Sequence, residues 1–178
     1  DSRIELKRIF NNGSFEQGGR LYGGFWISLK SEDIRDISID DEWLVALDYG
    51  QMALRLAYSL AKAPIHFEDA YALPGRTDAA RDAVKKLINV MLNTPSSKSW
   101  GVPKRIRFGK ANGMRFMFLE SEILIDVLLE LNNRGIVALP IHDCILVKES
   151  AQKTAKEVML RVFKQHTNLD ATVAIEAL

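Results

Sequence analysis

Hydrophobic and polar positions along this chain fall into blocks that read as strands and helices in mixed order. The run "WLVAL", residues 43–47, is apolar and bounded by the acidic "DDE", which predicts a buried strand from Glu42 to Asp48. In "GQMALRLAYSLAKA" the residues Met52, Leu56 and Leu60 recur every four positions and Pro64 closes the segment, so a helix follows that strand. A second helix is predicted from Asp78 to Leu92, with Val84, Leu87, Ile88 and Met91 inward, Arg81 and Lys85 stacked four apart, and Pro95 ending it. From Leu119 to Asn132 the positions Leu119, Ile123, Val127, Leu128 and Leu131 share one helical face, and "NNRG" supplies the stop.

"IVALPI" and "CILV" then read as two strands with His142 and Asp143 at their connection. Ser150 is placed to cap a last helix whose inner face holds Val158, Met159, Val162 and Phe163, and "ATVAI" reads as a final strand. The first thirty residues carry Gly13, Gly18, Gly19, Gly23 and Gly24 among Asn11, Asn12 and Ser14. That composition predicts loops, tied down by Phe10, Phe15, Tyr22, Phe25 and Trp26. The element order suits an α+β layering, and no internal repeat or low-complexity segment interrupts it.

Composition adds limits. A chain of 178 residues that is 47% hydrophobic fits one domain with its own core. Lys plus Arg (24) nearly balances Asp plus Glu (23), so the whole-chain charge does not decide for or against a polyanionic partner. Charge clusters only between Lys98 and Arg115, where Lys98, Lys104, Arg105, Arg107, Lys110 and Arg115 occur with no acidic residue and with Trp100 and Phe108. The lone Cys144 excludes an internal disulfide and suits a reducing, intracellular (cytoplasmic) setting. No apolar run approaches the roughly 20 residues of a membrane span, and no export signal is seen. A start at Asp1 and not Met suggests an excised piece with elements missing upstream.

The chemistry rests first on Asp48 and Asp143. If their strands share one sheet, the two carboxylates make a site for Mg²⁺, which prefers hard oxygens and commonly bridges one or two carboxylates to substrate phosphates. Two such ions can activate the attacking oxygen and stabilise the leaving oxygen of a phosphoryl displacement. An Asp at a strand end is also a common turn residue, so spacing alone leaves both readings open.

Wording narrows the choice. "LDYGQMALR" resembles the D-Y-S-Q-I-E-L-R motif of family A (DNA polymerase I-like) DNA polymerases, and "IHDCILV" is similar to their H-D-E hairpin. Phage-type single-subunit RNA polymerases resemble it as well, with an I-H-D-S hairpin. "RDAVKKLIN" matches the R-x-x-x-K spacing of the family's nucleotide-binding helix, and "GGRLYG" falls where the family has T-G-R-L-S-S. "IRDISIDDEWLVALDYG" follows it as the family's I-R-x-A-F stretch precedes its aspartate. The four motifs stand in the right order over about residues 18 to 150.

The resemblance implies a palm-like antiparallel sheet packed against helices, with a reduced fingers-like helical insertion over about 64–118. It implies that Asp48 and Asp143 hold two Mg²⁺ ions (Mn²⁺ as a substitute), with the Tyr49 backbone carbonyl as an extra ligand, and that Arg81 and Lys85 face a nucleoside triphosphate. Arg20 and His142 would contact a DNA primer-template, or its RNA equivalent. Lys98, Lys104, Arg105 and Arg107 would track the nucleic-acid backbone, with Trp100 or Phe108 as stacking platforms. Bland alternatives stand beside these: a solvated loop for the basic stretch, a surface ion pair for Arg20, a packed or capping role for His142.

Departures from the family pattern are specific. Ala53 replaces the glutamate of D-Y-S-Q-I-E that helps exclude ribonucleotides. Asn89 and Asn93 replace the aromatic positions after the helix lysine, and Cys144 replaces the acid after the hairpin aspartate. No thumb or proofreading exonuclease is recognisable, so an upstream region or a protein partner would supply the thumb. Glu120, Glu122, Asp126 and Glu130 read as a helix's polar face, with Glu120 or Glu122 near the metals if that face turns inward. His66 and His166 have no metal-ligand spacing. The leading expectation is a template-dependent nucleotidyltransferase, for which the resemblance implies a replication or repair role in a phage or other mobile element. The alternatives are a nucleic-acid-binding palm without turnover and a two-metal nuclease.

Overall fold

The computed structural model describes residues 4–72, 75, 77–93 and 110–178. Lys98, Lys104, Arg105, Arg107, Trp100 and Phe108 lie outside the described residues. The architecture is α+β: an antiparallel sheet and a separate hairpin on helices, with the core between sheet and helices.

The chain opens with a hairpin, not a loop. Strands β1 (Lys7–Asn11) and β2 (Ser14–Tyr22) pair antiparallel across Asn12 and Gly13. Both turn residues have positive φ, 54° and 66°, the conformation that matches strand twist and favours Asn-Gly. That dipeptide was the hairpin signal in the sequence. The register slips between Ile9↔Arg20 and Phe10↔Gly18, so Gly19 bulges out. Gly18 and Gly19 sit at φ 80° and 82°, and a Cβ on Gly19 would stand 2.9 Å from Ser121 Oγ. Only glycine lets β2 pass this close to the helix behind it. Of the anchoring aromatics, Trp26 is buried and donates from Nε1 to the Pro140 carbonyl at 3.0 Å. Phe15, Tyr22 and Phe25 are exposed instead; Phe15 meets Phe10 edge-on, and Phe25 packs edge-on against Trp26.

After a short helix α1 (Ser31–Ile34) and strand β3 (Ser38–Ile39), strand β4 (Glu42–Tyr49) forms the middle of the sheet. Helix α2 (Met52–Leu60) follows, then α3 (Asp78–Asn93), α4 (Lys110–Asn133), β5 (Ala138–Ile141), β6 (Cys144–Lys148), α5 (Gln152–Thr167) and β7 (Val173–Ala177). The strand order is β3-β4-β6-β5, with β7 on the other side of β4 from β6. On one face of the sheet Val45, Leu47, Tyr49, Ile145, Val147 and Val173 meet Ile123, Val127, Leu131, Val158, Met159, Val162 and Phe163 from α4 and α5. Truncating a fully buried Leu such as Leu47 to Ala costs about 2–5 kcal/mol.

Three local expectations are corrected. Leu87 is 58% exposed on α3, because α3 meets its neighbours only along the stripe that holds Val84, Ile88 and Leu92. Helix α4 begins at Lys110, well before Leu119. Ser150 caps nothing: it lies in a 3₁₀ turn (Glu149–Ala151), and its N–H and hydroxyl donate to the Glu42 carboxylate.

Candidate active site

Register brings the two aspartates together. Asp48, next to last in β4, pairs with Cys144 at the start of β6, directly after the two-residue turn His142–Asp143. The Tyr49 N–H donates to the Asp143 carbonyl at 3.4 Å, closing the turn onto the end of β4. His142 takes the left-handed conformation, φ 56°, and is exposed, with no hydrogen-bond partner among the described residues. It is neither packed nor capping. The Tyr49 side chain faces away into the core, where its hydroxyl donates to the Met159 carbonyl at 2.6 Å, so only its backbone reaches the site.

Asp48 is half-buried, and its carboxyl is pushed up to about 6 by burial first, then by the charges of Asp143 and Glu176, with Lys85 opposing. Like charges held together in a partly desolvated place disfavour ionisation until a cation compensates them. Burial and the same acids push the Cys144 thiol up to about 12, so it is a neutral neighbour and no nucleophile.

These groups line one cleft of about 440 Å³. Asp48 and Glu176 stand on the sheet and Asp143 in the turn before β6; Arg81, Lys85 and Asn89 come from one face of α3 at spacings of four; Asp69 and Tyr71 come from the segment before α3; and Ala53 lies at the start of α2. Lys85 makes no salt bridge among the described residues, and its charge acts on Asp48. Arg81 donates from Nε to Asp69 Oδ2 at 2.6 Å, with its guanidinium carbon 5.6 Å from the Tyr71 ring centroid.

The fourth motif reaches the site by a different route. The Gly19 bulge is followed by Arg20, whose Nε donates to Glu120 Oε1 at 2.9 Å, with Nη2 2.8 Å from the same oxygen in an ion pair. Glu120 is buried on α4 and does turn inward. Burial raises its carboxyl, Arg20 opposes, and the nearby charges of Asp143 and Asp48 raise it further. Beside it Arg8 holds Ser121 and Glu122, at 2.6 and 2.7 Å. The other acids of that face form exposed pairs: Asp126 with His166, and Glu130 with Arg134 and Arg161.

Three residues had no role in the sequence analysis: Asp69 and Glu176, which carried no motif, and Arg55. Glu120 was placed on a polar face that would come near the metals if turned inward, and it is turned inward. Arg55 stood inside the quoted "LDYGQMALR" without a role. It is buried and donates to the carbonyls of Gly50 at 3.0 Å, Asp170 at 2.8 Å and Glu68 at 3.4 Å, which pins the turn after Asp48 to two distant segments. A lone Arg among apolar helix positions was the available signal.

No family model matches the sequence, and no curated protein matches it. Among solved structures the fold is similar to the POL domain of Pol1 from M. smegmatis, in complex with DNA primer-template and dNTP. The TM-score is 0.51 at 12% identity, over 96% of this chain and 46% of that one. The chain thus has a polymerase-like fold and spans less than half the length of that neighbour. Among the described residues no helix is long and apolar enough to cross a membrane.

Proposed function

We propose that this chain is the palm, with a reduced fingers-like segment, of a template-dependent nucleotidyltransferase that extends a 3′-hydroxyl with nucleoside triphosphates. The observation that carries the reading is the cleft itself: an aspartate at the end of β4 and one in the turn that leads into the neighbouring β6 share it with two cations four apart on one helix. The motif resemblance and the polymerase-like fold agree with it, and the neighbour's primer-template and dNTP name the partners to test: DNA, or RNA in its place, and nucleotides. An upstream region or a protein partner would complete the grip on the duplex.

The residues present fit Mg²⁺. Among the described residues lining the cleft, four carboxylates outnumber two cations, so a polyphosphate would be repelled without divalent ions. No group of three or more His, Cys, Asp or Glu forms a closed metal cage among the described residues. That suits an ion held by one or two carboxylates with water and substrate oxygens completing its shell. Asp48 and Asp143 would hold it, or Mn²⁺ in its place, with the Tyr49 carbonyl alongside. When bound, such ions lower the pKa of the primer hydroxyl and neutralise charge on the phosphates.

The chain's own groups then act by position. Lys85 and Arg81 bind the β- and γ-phosphates and stabilise charge on the departing pyrophosphate as the new 3′-O–P bond forms and the α–β bridging bond breaks. Arg20, held by Glu120, offers its remaining N–H groups to the primer end, and the exposed His142 stands at the hairpin tip toward the same strand. Ala53 is a small side chain in the cleft, so the sugar pocket is expected to accept ribonucleotides alongside deoxyribonucleotides.

The test is extension of a labelled primer on a template with Mg²⁺ and separate dNTP and NTP pools. Wild type is expected to extend, and Asp48→Ala and Asp143→Ala are expected to lose at least about 1000-fold, several kcal/mol of transition-state stabilisation. Extension that survives both substitutions would sink the reading. Nucleic-acid binding without extension, by this chain and by a longer version carrying upstream sequence, would leave a binding palm, the reading that Ala53, Asn89 and Asn93 in place of the family's glutamate and aromatics favour.

A further inference from the structure

We infer that Asp69 is a positioning residue that aims Arg81 at the polyphosphate and couples it to the turn that carries Asp48. The inference rests on the cleft taking a triphosphate, and it concerns a residue with no motif of its own.

The geometry is that of a built acceptor. Asp69 Oδ1 receives the Tyr71 N–H at 2.9 Å and Gln51 Nε2 at 2.9 Å, which leaves Oδ2 for Arg81 Nε at 2.6 Å. Gln51 is fixed in turn: its own Oε1 accepts the Ala70 N–H at 3.1 Å, and its backbone sits in the left-handed region at φ 59°, three residues after Asp48. The chain of contacts therefore runs from the metal-facing turn through Gln51 and Asp69 to the helix α3 cation. Arg81 is gripped at Nε alone, and its guanidinium carbon lies over the Tyr71 ring, 5.6 Å from its centroid. Its two terminal amino groups have no acceptor among the described residues. Those are the atoms that bind two phosphate oxygens in parallel. A free arginine would lose much of its rotamer freedom on binding; this one is already oriented.

A rival role makes the opposite prediction. If Asp69 merely neutralised Arg81, competing with the polyphosphate, its removal would free a cation and subtract a negative charge from the cleft, and both changes tighten anion binding. As a positioning residue its removal weakens binding. The sign of the effect separates the two.

The experiment is Mg²⁺-dependent binding of inorganic tripolyphosphate to the intact chain, with binding of a duplex oligonucleotide followed in parallel. Asp69→Asn keeps an oxygen for Tyr71 and Gln51 and sets an amide N–H₂ against Arg81 Nε. It is expected to weaken tripolyphosphate about tenfold, the size of one charge-assisted hydrogen bond, and to leave duplex affinity unchanged, which a general folding defect would not. On an Arg81→Ala background the same substitution is expected to do nothing further. Gln51→Ala, which loosens Asp69 without touching Arg81, is expected to weaken binding about threefold, a share of that same bond, and to have no effect once Asp69→Asn is present. Tighter binding by Asp69→Asn, or independent effects of Asp69 and Arg81, would overturn the inference and leave the cleft's assignment standing. Tripolyphosphate that fails to bind wild type would overturn both.

Discussion

Two arginines flank the aspartate pair, each held by a carboxylate, and the two pairs differ in burial. Arg20 meets Glu120 between the β1–β2 hairpin and α4, where Glu120 is only 6% exposed and two guanidinium nitrogens share one oxygen. Arg81 meets Asp69 in the open mouth of the cleft through one nitrogen, with side chains 40% and 31% exposed. Water can replace either partner of the second pair at little cost, while the first would leave a charge stranded in the protein. The buried pair is therefore part of the fold, fixing where β2 crosses α4, and the exposed pair is part of the working surface. Glu120 feels the charges of Asp48 and Asp143, and Arg81 and Asp69 line the same cleft as those aspartates, so one protein uses the same chemistry to build and to bind.

The largest expected effect comes from breaking the buried pair. Glu120→Ala is expected to cost about 3 kcal/mol in urea unfolding, the lower end for a buried pair because Arg20 keeps partial access to water. The double replacement Arg20→Met with Glu120→Leu is expected to recover most of that loss, since it removes both charges together. An unchanged midpoint in Glu120→Ala would mean the pair is solvated and the contrast with Arg81 and Asp69 is false.

Next in size is a pH effect centred between the pairs. In the folded, metal-free protein Asp48 holds its proton to about pH 6, against 3.8 as the ordinary value. The folded state therefore binds more protons than the unfolded chain in that window, and Asp48 stabilises progressively as pH falls from about 7 toward 4. Glu42, Asp69 and Glu130 are held below the usual carboxylate range by hydrogen bonds and ion pairs and pull the other way, so the comparison must be made against Asp48→Asn. The variant is expected to be the more stable at pH 7 and to lose that advantage by pH 5. Mg²⁺ at pH 7 is expected to stabilise wild type and not the variant. A stability difference that does not move with pH would place Asp48 in ordinary solvent.

The same contrast explains what the sequence could tell. Strand β4, the β5–β6 hairpin and α5 were legible because each buries a face whose period survives in the residue order, and Asp48 and Asp143 were legible because they sit inside such elements. Leu87 misled, because the stripe that fits the period on α3 is wider than the face its neighbours cover. The hairpin β1–β2 was written in Asn12-Gly13 and obscured by surrounding glycines that serve a bulge and a close crossing. Glu120 was legible only as a condition, near the metals if its face turned inward: a glutamate at a polar helical position turns buried only when an arginine 100 residues away arrives over it. Asp69 was invisible because a single carboxylate in a loop acquires meaning only from Gln51 and Arg81, which the fold brings to it.

The smallest expected effect is the most discriminating. Lysine keeps the positive charge but offers one compact ammonium in place of a rigid fork. At position 20 that exchange gives up the two-point contact on Glu120 in a place where water cannot fully substitute, so Arg20→Lys is expected to lower stability by about 1 kcal/mol, one net hydrogen bond. At position 81 the exposed ammonium reaches Asp69 or water equally well, so Arg81→Lys is expected to leave the urea midpoint unchanged. What Arg81→Lys loses is the pair of terminal amino groups, and its tripolyphosphate affinity is expected to fall while its stability does not. The two lysine variants thus separate cleanly on two readouts, folding for one and binding for the other. Equal losses of stability at both positions would show that exposure in the cleft does not distinguish them, and that Arg81 is as much a part of the fold as Arg20.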